Sequence, residues 1–509
     1  MHSVPESAGF VEMVSRRTFL IGAQSALLSA GAGTALAGAP ETSLFPQPRS
    51  DALIRRAARP LAELIAQSGL PGRVGCAVAD AETGEILEVF NALFPLPPAS
   101  VAKAVTTAYG LDRLGPGYRF RTTLVTDGVI SDGRLEGDLW LVGGGDPVLD
   151  TDALAAMARN LIDSGIRQVT GAFRVATDAL PGIDQIDPGQ LPHVGYNPSI
   201  SALNLNFNRV FFEWERAGED YTVRMDARSD NHSPTVTVSR MTVEARDYPV
   251  YTFDRSEARD EWTVARSALG NGGGRWLPVR RPPDYLAEVF QMLARDRGIA
   301  LGTPVISESA PPDARVLVEH ASPPLEDILR GMMRWSTNLT AEVVGLAATQ
   351  AGGVRPTTLA ESGEEMAVWM RERLGARQAR FVDHSGLGVD SRLRPHDMTR
   401  ALVAAGPNGM LRGLMRDIPV LDDAGNRMPD SPLEVVAKTG TLNFVSTLAG
   451  YVRTPSGRSL AFSVFCADLE RRERLTRDQM ERPPGGRTYN GRAKRLQQAL
   501  VRRWGALFG

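Results

Sequence analysis

At 509 residues the chain is too long for one simple domain, and two or three are expected. A hydrophobic content of 43% and a charged content of 23% describe an ordinary globular protein able to bury a large core. The net charge of -2 gives no argument for nucleic acid and no strong one for an anionic membrane surface.

The N-terminus reads as a targeting segment. Ser15-Arg16-Arg17-Thr18-Phe19-Leu20 is a twin-arginine pattern, followed by a weakly apolar stretch from Leu20 to Leu36 that ends in Ala35-Leu36-Ala37. Its Gly, Ala and Ser content is too weakly hydrophobic for a stable membrane span. Residues 1–37 are therefore expected to be a twin-arginine signal peptide that delivers a folded chain to the periplasm, with no transmembrane anchor in the mature protein. Cys76 and Cys466 are the only cysteines, and both lie in apolar strand-like runs, as buried free thiols or as a disulfide if those strands are neighbours.

Along the mature chain, Ala52 to Gln67 has helical periodicity. Gly72 to Ala79 and Glu85 to Phe90 read as a β-hairpin, and a helix carrying Ser100 follows Pro97-Pro98. From Phe120 to about Pro311 short strands with Gly- and Asp-rich turns dominate, with a hairpin tip at Asn271 to Gly274 and a helix from Pro283 to Arg297. Ser322 is a plausible N-cap for a helix ending near Trp335, a second helix begins around Thr340, and a third spans Gly363 to Leu374. Leu433 to Thr439, Ser446 to Val452 and Ser459 to Cys466 read as strands, and a helix from about Gly491 to Phe508 ends the chain. Strands and helices from both termini imply one α/β domain, 38–119 with 312–509, and residues 120–311 become a β-rich insertion of one or two subdomains.

Lysine usage singles out two places. The chain carries its positive charge almost entirely as arginine, and its only lysines are Lys103, Lys438 and Lys494. A buried lysine can lose its proton and act as a base, whereas arginine cannot. Lys103 completes Ser100-Val101-Ala102-Lys103, which on a helix sets an amine over the same face as the hydroxyl, a nucleophile beside a candidate base. Lys438 begins Lys438-Thr439-Gly440-Thr441. Between them lies Ser336-Thr337-Asn338. Each motif alone is weak, but the three in this order form the set used by penicillin-recognising serine enzymes.

On these motifs the chain resembles the class C low-molecular-mass penicillin-binding proteins, the penicillin-binding protein 4 type of D-alanyl-D-alanine carboxypeptidase and endopeptidase. Long separation of Lys103 from Ser336, and the stretches 137–149, 198–206 and 383–387, carry the same resemblance. It implies a transpeptidase/β-lactamase-like domain with a five-stranded antiparallel sheet flanked by helices. It also implies roles. Ser100 is the nucleophile, Lys103 its base, with a proton affinity depressed by Lys438, and Ser336 the proton relay. Asn338 binds the substrate amide and orients Lys103, and Lys438, Thr439 and Thr441 hold the terminal carboxylate. The N–H groups of Ser100 and Thr441 form the oxyanion hole, and Gly440 belongs to the third motif. Peptidoglycan peptides are the implied substrates and β-lactams the acylating inhibitors, with no cofactor or metal. The motif around Asp383 departs from the family's Asp-Gly-Ser-Gly-Leu-Ser-Arg, since His384 stands at its first glycine.

Two other readings compete. A β-lactamase or esterase of the same fold would share the first and third motifs without some 200 inserted residues, and a wall-binding protein with an idle site would show a broken motif. A Ser-His-Asp hydrolase lacks support, because no histidine accompanies a Gly-x-Ser-x-Gly elbow.

Overall fold

The computed structural model describes residues 59–509, so the twin-arginine segment and the start of the first expected helix lie outside the described residues, and the rest of that helix is Leu61–Gln67. A six-stranded antiparallel sheet is built from both ends of the chain, in the order Arg416–Asp417, Glu434–Leu442, Val445–Arg453, Ser459–Ala467, Arg73–Asp80 and Ile86–Phe90. Five of these strands are the expected ones; the sixth is a two-residue edge strand too short to leave a periodic signal.

Both faces of this sheet are covered. Along Ser459–Ala467 the side chains of Leu460, Phe462, Val464 and Cys466 pack with Leu496, Leu500 and Trp504 of the C-terminal helix Gly486–Phe508. Ala461, Phe465 and Ala467 point the other way, into the core that holds the helix Ala102–Leu114. Side chains alternate along a strand, so a run buried on both faces reads as continuously apolar. Cys76 and Cys466 lie on adjacent strands, but Cys76 is opposite Val464 and Cys466 opposite Val74, and both thiols are free.

The long middle stretch leaves and returns at one place. The strand Arg121–Thr126 pairs antiparallel with Arg315–Ala321 inside a five-stranded sheet whose other members are Leu139–Gly143, Phe173–Ala176 and Val305–Ser307. Just below this pair the Phe120 N–H donates to Ser322 Oγ at 3.0 Å and the Ser322 N–H to the Phe120 carbonyl at 2.9 Å. Ser322 therefore ties the two chain segments together, and the helix Leu325–Trp335 starts at Pro324 without a side-chain cap. Because the excursion closes on itself, some 200 residues separate Lys103 from Ser336 in sequence without separating them in space.

Within the excursion a second core forms around Leu141, Phe173, Leu286, Phe290, Phe212 and Trp262. Two helices belong to it, Pro282–Arg295 as expected and Thr151–Asp163, whose N-cap Asp150 accepts the Ala153 N–H at 2.8 Å. Gly272 to Gly274 are strand rather than hairpin tip. They pair with Arg209–Ala217, and a Cβ at Gly273 or Gly274 would sit within 2.6 Å of the Trp214 ring or 2.3 Å of the Phe211 ring. The glycines make room for cross-strand aromatic rings.

Candidate active site

Ser100 sits in a 3₁₀ turn, Ala99–Val101, that runs straight into the α-helix Ala102–Leu114. Ala99 takes a left-handed φ of 46°, a bend that lifts Ser100 off the helix axis. The turn is clamped from the sheet, where Thr447 Oγ1 donates to the Pro98 carbonyl at 2.8 Å. Lys103, one turn further on and wholly buried, places its Nζ 3.0 Å from Ser100 Oγ.

Two more acceptors hold that amine, Asn338 Oδ1 at 2.7 Å and the Ser385 carbonyl at 2.8 Å. Asn338 opens the helix Asn338–Ala351, and Ser336 caps the preceding helix Leu325–Trp335 in the left-handed region at φ 60°. A non-glycine there carries strain of about 1 kcal/mol; it turns the Ser336 hydroxyl to within 3.0 Å of Lys438 Nζ. Lys438 arrives from the strand Glu434–Leu442 and is 2% exposed. Ser100, Lys103, Ser336, Asn338 and Lys438 are thus brought together from four separate elements.

Strand alternation puts Lys438 and Gly440 on one face and Thr439 and Thr441 on the other. Gly440 faces the Ser100 turn and Thr441 lines the cleft. Thr439 lies on the same strand face as Thr441 and lines a second cavity with Ile418, Lys494 and Gln497, which Gly440 and Thr441 also border.

The cleft over Ser100 has a volume of about 470 Å³. The excursion supplies Gln190, Tyr196 and Arg275 to its walls, and the C-terminal segment supplies Arg472 and Glu481. The Tyr196 carbonyl accepts from Asn338 Nδ2 at 2.8 Å, so the inserted region reaches the second motif directly. That wall stands on Asn204, Asn206 and Asn208: Asn208 Nδ2 donates to the Ser199 carbonyl and to Asn204 Oδ1, while Asn206 Nδ2 donates to Thr151 Oγ1.

Burial draws the Lys103 amine down to about 8, while the carboxyl groups of Glu342 and Asp383 pull it back up. Lys438 is pushed well below the usual lysine range by burial first, then by Lys103 and Arg416. Burial is the largest cause at both amines, and the repulsion between the two lysines adds to it at Lys438. Glu342 is lifted above the usual carboxylate range by burial, then by Asp383. His384, also wholly buried, is pushed down to about 3 by burial alone.

Motif reading misses Glu342. Its signal is a lone carboxylate four residues after Asn338, inside the otherwise uncharged run Leu339-Thr340-Ala341-Glu342-Val343-Val344-Gly345-Leu346. Gln190, Arg275 and Glu481 carry no local signal, since only the fold assembles them.

Residues 57–482 match the D-Ala-D-Ala carboxypeptidase 3 (S13) family. The chain is 28% identical over 429 residues to a D-alanyl-D-alanine carboxypeptidase of Actinomadura sp. (strain R39), covering 79% of each chain. It is 25% identical over 413 residues to the D-alanyl-D-alanine carboxypeptidase DacB of Haemophilus influenzae, covering 77% of this chain and 85% of the relative. Its fold matches the crystal structure of penicillin binding protein 4 from Haemophilus influenzae with a TM-score of 0.70 at 22% identity, over 87% of this chain and 100% of the other. With the family matched over most of its length, the chain belongs to the D-Ala-D-Ala carboxypeptidase 3 (S13) family and is a class C low-molecular-mass penicillin-binding protein, a serine-type carboxypeptidase.

Proposed function

We propose that this protein is a periplasmic D-Ala-D-Ala carboxypeptidase, D,D-endopeptidase or both, acting on peptidoglycan stem peptides through an acyl-enzyme at Ser100, and that β-lactams acylate the same hydroxyl. One observation carries the reading: the Lys103 amine, buried and held by Asn338 and the Ser385 carbonyl, lies 3.0 Å from Ser100 Oγ.

In its neutral form Lys103 takes the Ser100 proton as Oγ bonds to the scissile carbonyl carbon. The negative charge that develops on the carbonyl oxygen is received by the backbone N–H groups of Ser100 and Thr441, the first of them at the head of a helix. Ser336, bridged to Lys438, passes a proton to the departing D-Ala amine as the C–N bond breaks. Water then attacks the Ser100 ester, giving its proton back along the same groups and releasing the shortened peptide. Lys438 and Thr441 face the terminal carboxylate. Asn338 orients Lys103; a substrate carbonyl that binds its Nδ2 must first replace the Tyr196 carbonyl.

Residues 38–119 and 312–509 form the peptidase domain in this reading, and 120–311 the insertion that walls the cleft. The twin-arginine segment delivers the folded chain to the periplasm. The test is incubation of the mature protein with purified muropeptides. Released D-Ala marks carboxypeptidase action and cleaved cross-links mark endopeptidase action, each identified by mass, and neither product is expected from Ser100→Ala.

A further inference from the structure

Glu342 is a carboxylate in an unusual place. It lies on the helix Asn338–Ala351 one turn beyond Asn338, so the two side chains share a face, and it is 0% exposed. Both carboxyl oxygens are taken by consecutive backbone donors of a single loop: the His384 N–H reaches Oε2 at 2.8 Å and the Ser385 N–H reaches Oε1 at 3.0 Å. The carbonyl of that same Ser385 is the 2.8 Å acceptor of Lys103. A buried carboxylate is tolerated only when hydrogen-bonded and balanced by charge.

The groups facing Lys103 come from four directions. Ser100 lies on its own helix turn, and Asn338 and Glu342 come from the neighbouring helix. The loop brings Asp383, with His384 behind it, and the strand brings Lys438, with Arg416 beyond. Asp383 is committed to the turn it caps, accepting the Gly386 and Gly388 N–H groups. That leaves Glu342 as the carboxylate that holds the Ser385 N–H while Lys103 holds the carbonyl of the same residue.

We propose that Glu342 is a positioning residue of the acylation step: it fixes the loop that presents the Ser385 carbonyl to Lys103, and its negative charge is the counterweight to the Lys103 ammonium. The inference rests on the reading of Ser100 as nucleophile and Lys103 as its base. It predicts a property that a purely structural anchor lacks. Acylation needs neutral Lys103, and a carboxylate nearby favours the charged form. Removing that charge lets the neutral amine appear at lower pH.

The experiment is the rate of labelling by a fluorescent penicillin as a function of pH, for the wild type, Glu342→Gln and Glu342→Asp. The Gln variant should move the acidic limb of the profile down by about one pH unit or more. Its plateau should fall roughly tenfold, because the amide sets an NH2 donor against one of the two loop N–H groups. The Asp variant should keep the limb while lowering the plateau. An unmoved limb in the Gln variant overturns the proposal, whatever its plateau. If the Gln variant does not fold, the Asp variant decides: a wild-type plateau with the shorter carboxylate overturns the positioning role. A wild type that takes no label contradicts the reading of Ser100 instead, so the two failures are distinguishable.

Discussion

Gly440 passes the Ser100 turn so closely that a Cβ at 440 would lie 2.8 Å from the Ser100 backbone nitrogen. It would also come within 2.2 Å of Thr447 Oγ1, the group that clamps the Pro98 carbonyl. The third motif's glycine is thus a spacing requirement: the strand must approach without a side chain if the Ser100 N–H is to point into the cleft. Gly440→Ala is expected to lower penicillin acylation by about two orders of magnitude, the scale of losing one oxyanion donor. It should lower stability by about 1–3 kcal/mol through overpacking. Labelling kinetics and thermal melting measure the two effects.

Lys103→Arg keeps a positive charge and removes the base. The side chain is fully buried, and a guanidinium does not release a proton in a protein. Near-complete loss of acylation is expected in stopped-time labelling with penicillin. Acylation at the wild-type rate would refute a neutral amine at this position.

Acylation by the wild type should rise with pH through about 8, where burial has brought the Lys103 amine. The sign follows from the mechanism: below that range Lys103 holds its proton and cannot accept one from Ser100. A rate that falls as pH rises from 6 to 8 would contradict the assignment.

His384 and Gly345 form a matched pair. The imidazole occupies the place where a Gly345 side chain would be, with ring atoms 2.0–2.2 Å from a Cβ added there. Its Nε2 lies 2.7 Å from Ser362 Oγ, in a buried polar chain that continues through Thr349 to Tyr109. Gly345→Ala should destabilise by about 1–3 kcal/mol. His384→Gly in the same chain should relieve part of that loss, giving a non-additive double-mutant cycle with an interaction of about 1 kcal/mol or more. Additive losses in chemical denaturation would show that the two positions are not coupled.

The same histidine sets an acid limit on stability. Its folded-state proton affinity, about 3, lies below the unfolded value of 6.5, because burial disfavours the imidazolium. The neutral form's contribution is therefore complete above pH 6.5 and declines as pH falls from 6.5 toward 3. At pH 5 the loss amounts to about 2 kcal/mol. A His384→Gln variant should show a flatter melting-temperature profile over that interval.

Much of this site is legible in the sequence because its chemistry depends on short local motifs. Ser100 and Lys103 are one helical turn apart, and a lysine in an arginine-rich chain stands out. Strands buried on both faces, such as Ser459–Ala467, announce themselves by composition. What escapes is what tertiary contact decides. Glu342 looks like a surface residue until the loop 383–388 closes over it, and only the fold shows that Thr441 lines the cleft over Ser100. The helix Thr151–Asp163 had its signal in the Asp150 cap and the alanine-rich run after it, outweighed by the many turn residues around it.

The most direct measurement is the intact mass of the mature protein after brief exposure to benzylpenicillin, followed by peptide mapping. A single long-lived adduct on the peptide that contains Ser100, absent from Ser100→Ala, is the predicted result. An unmodified protein, or an adduct on any other residue, would contradict it.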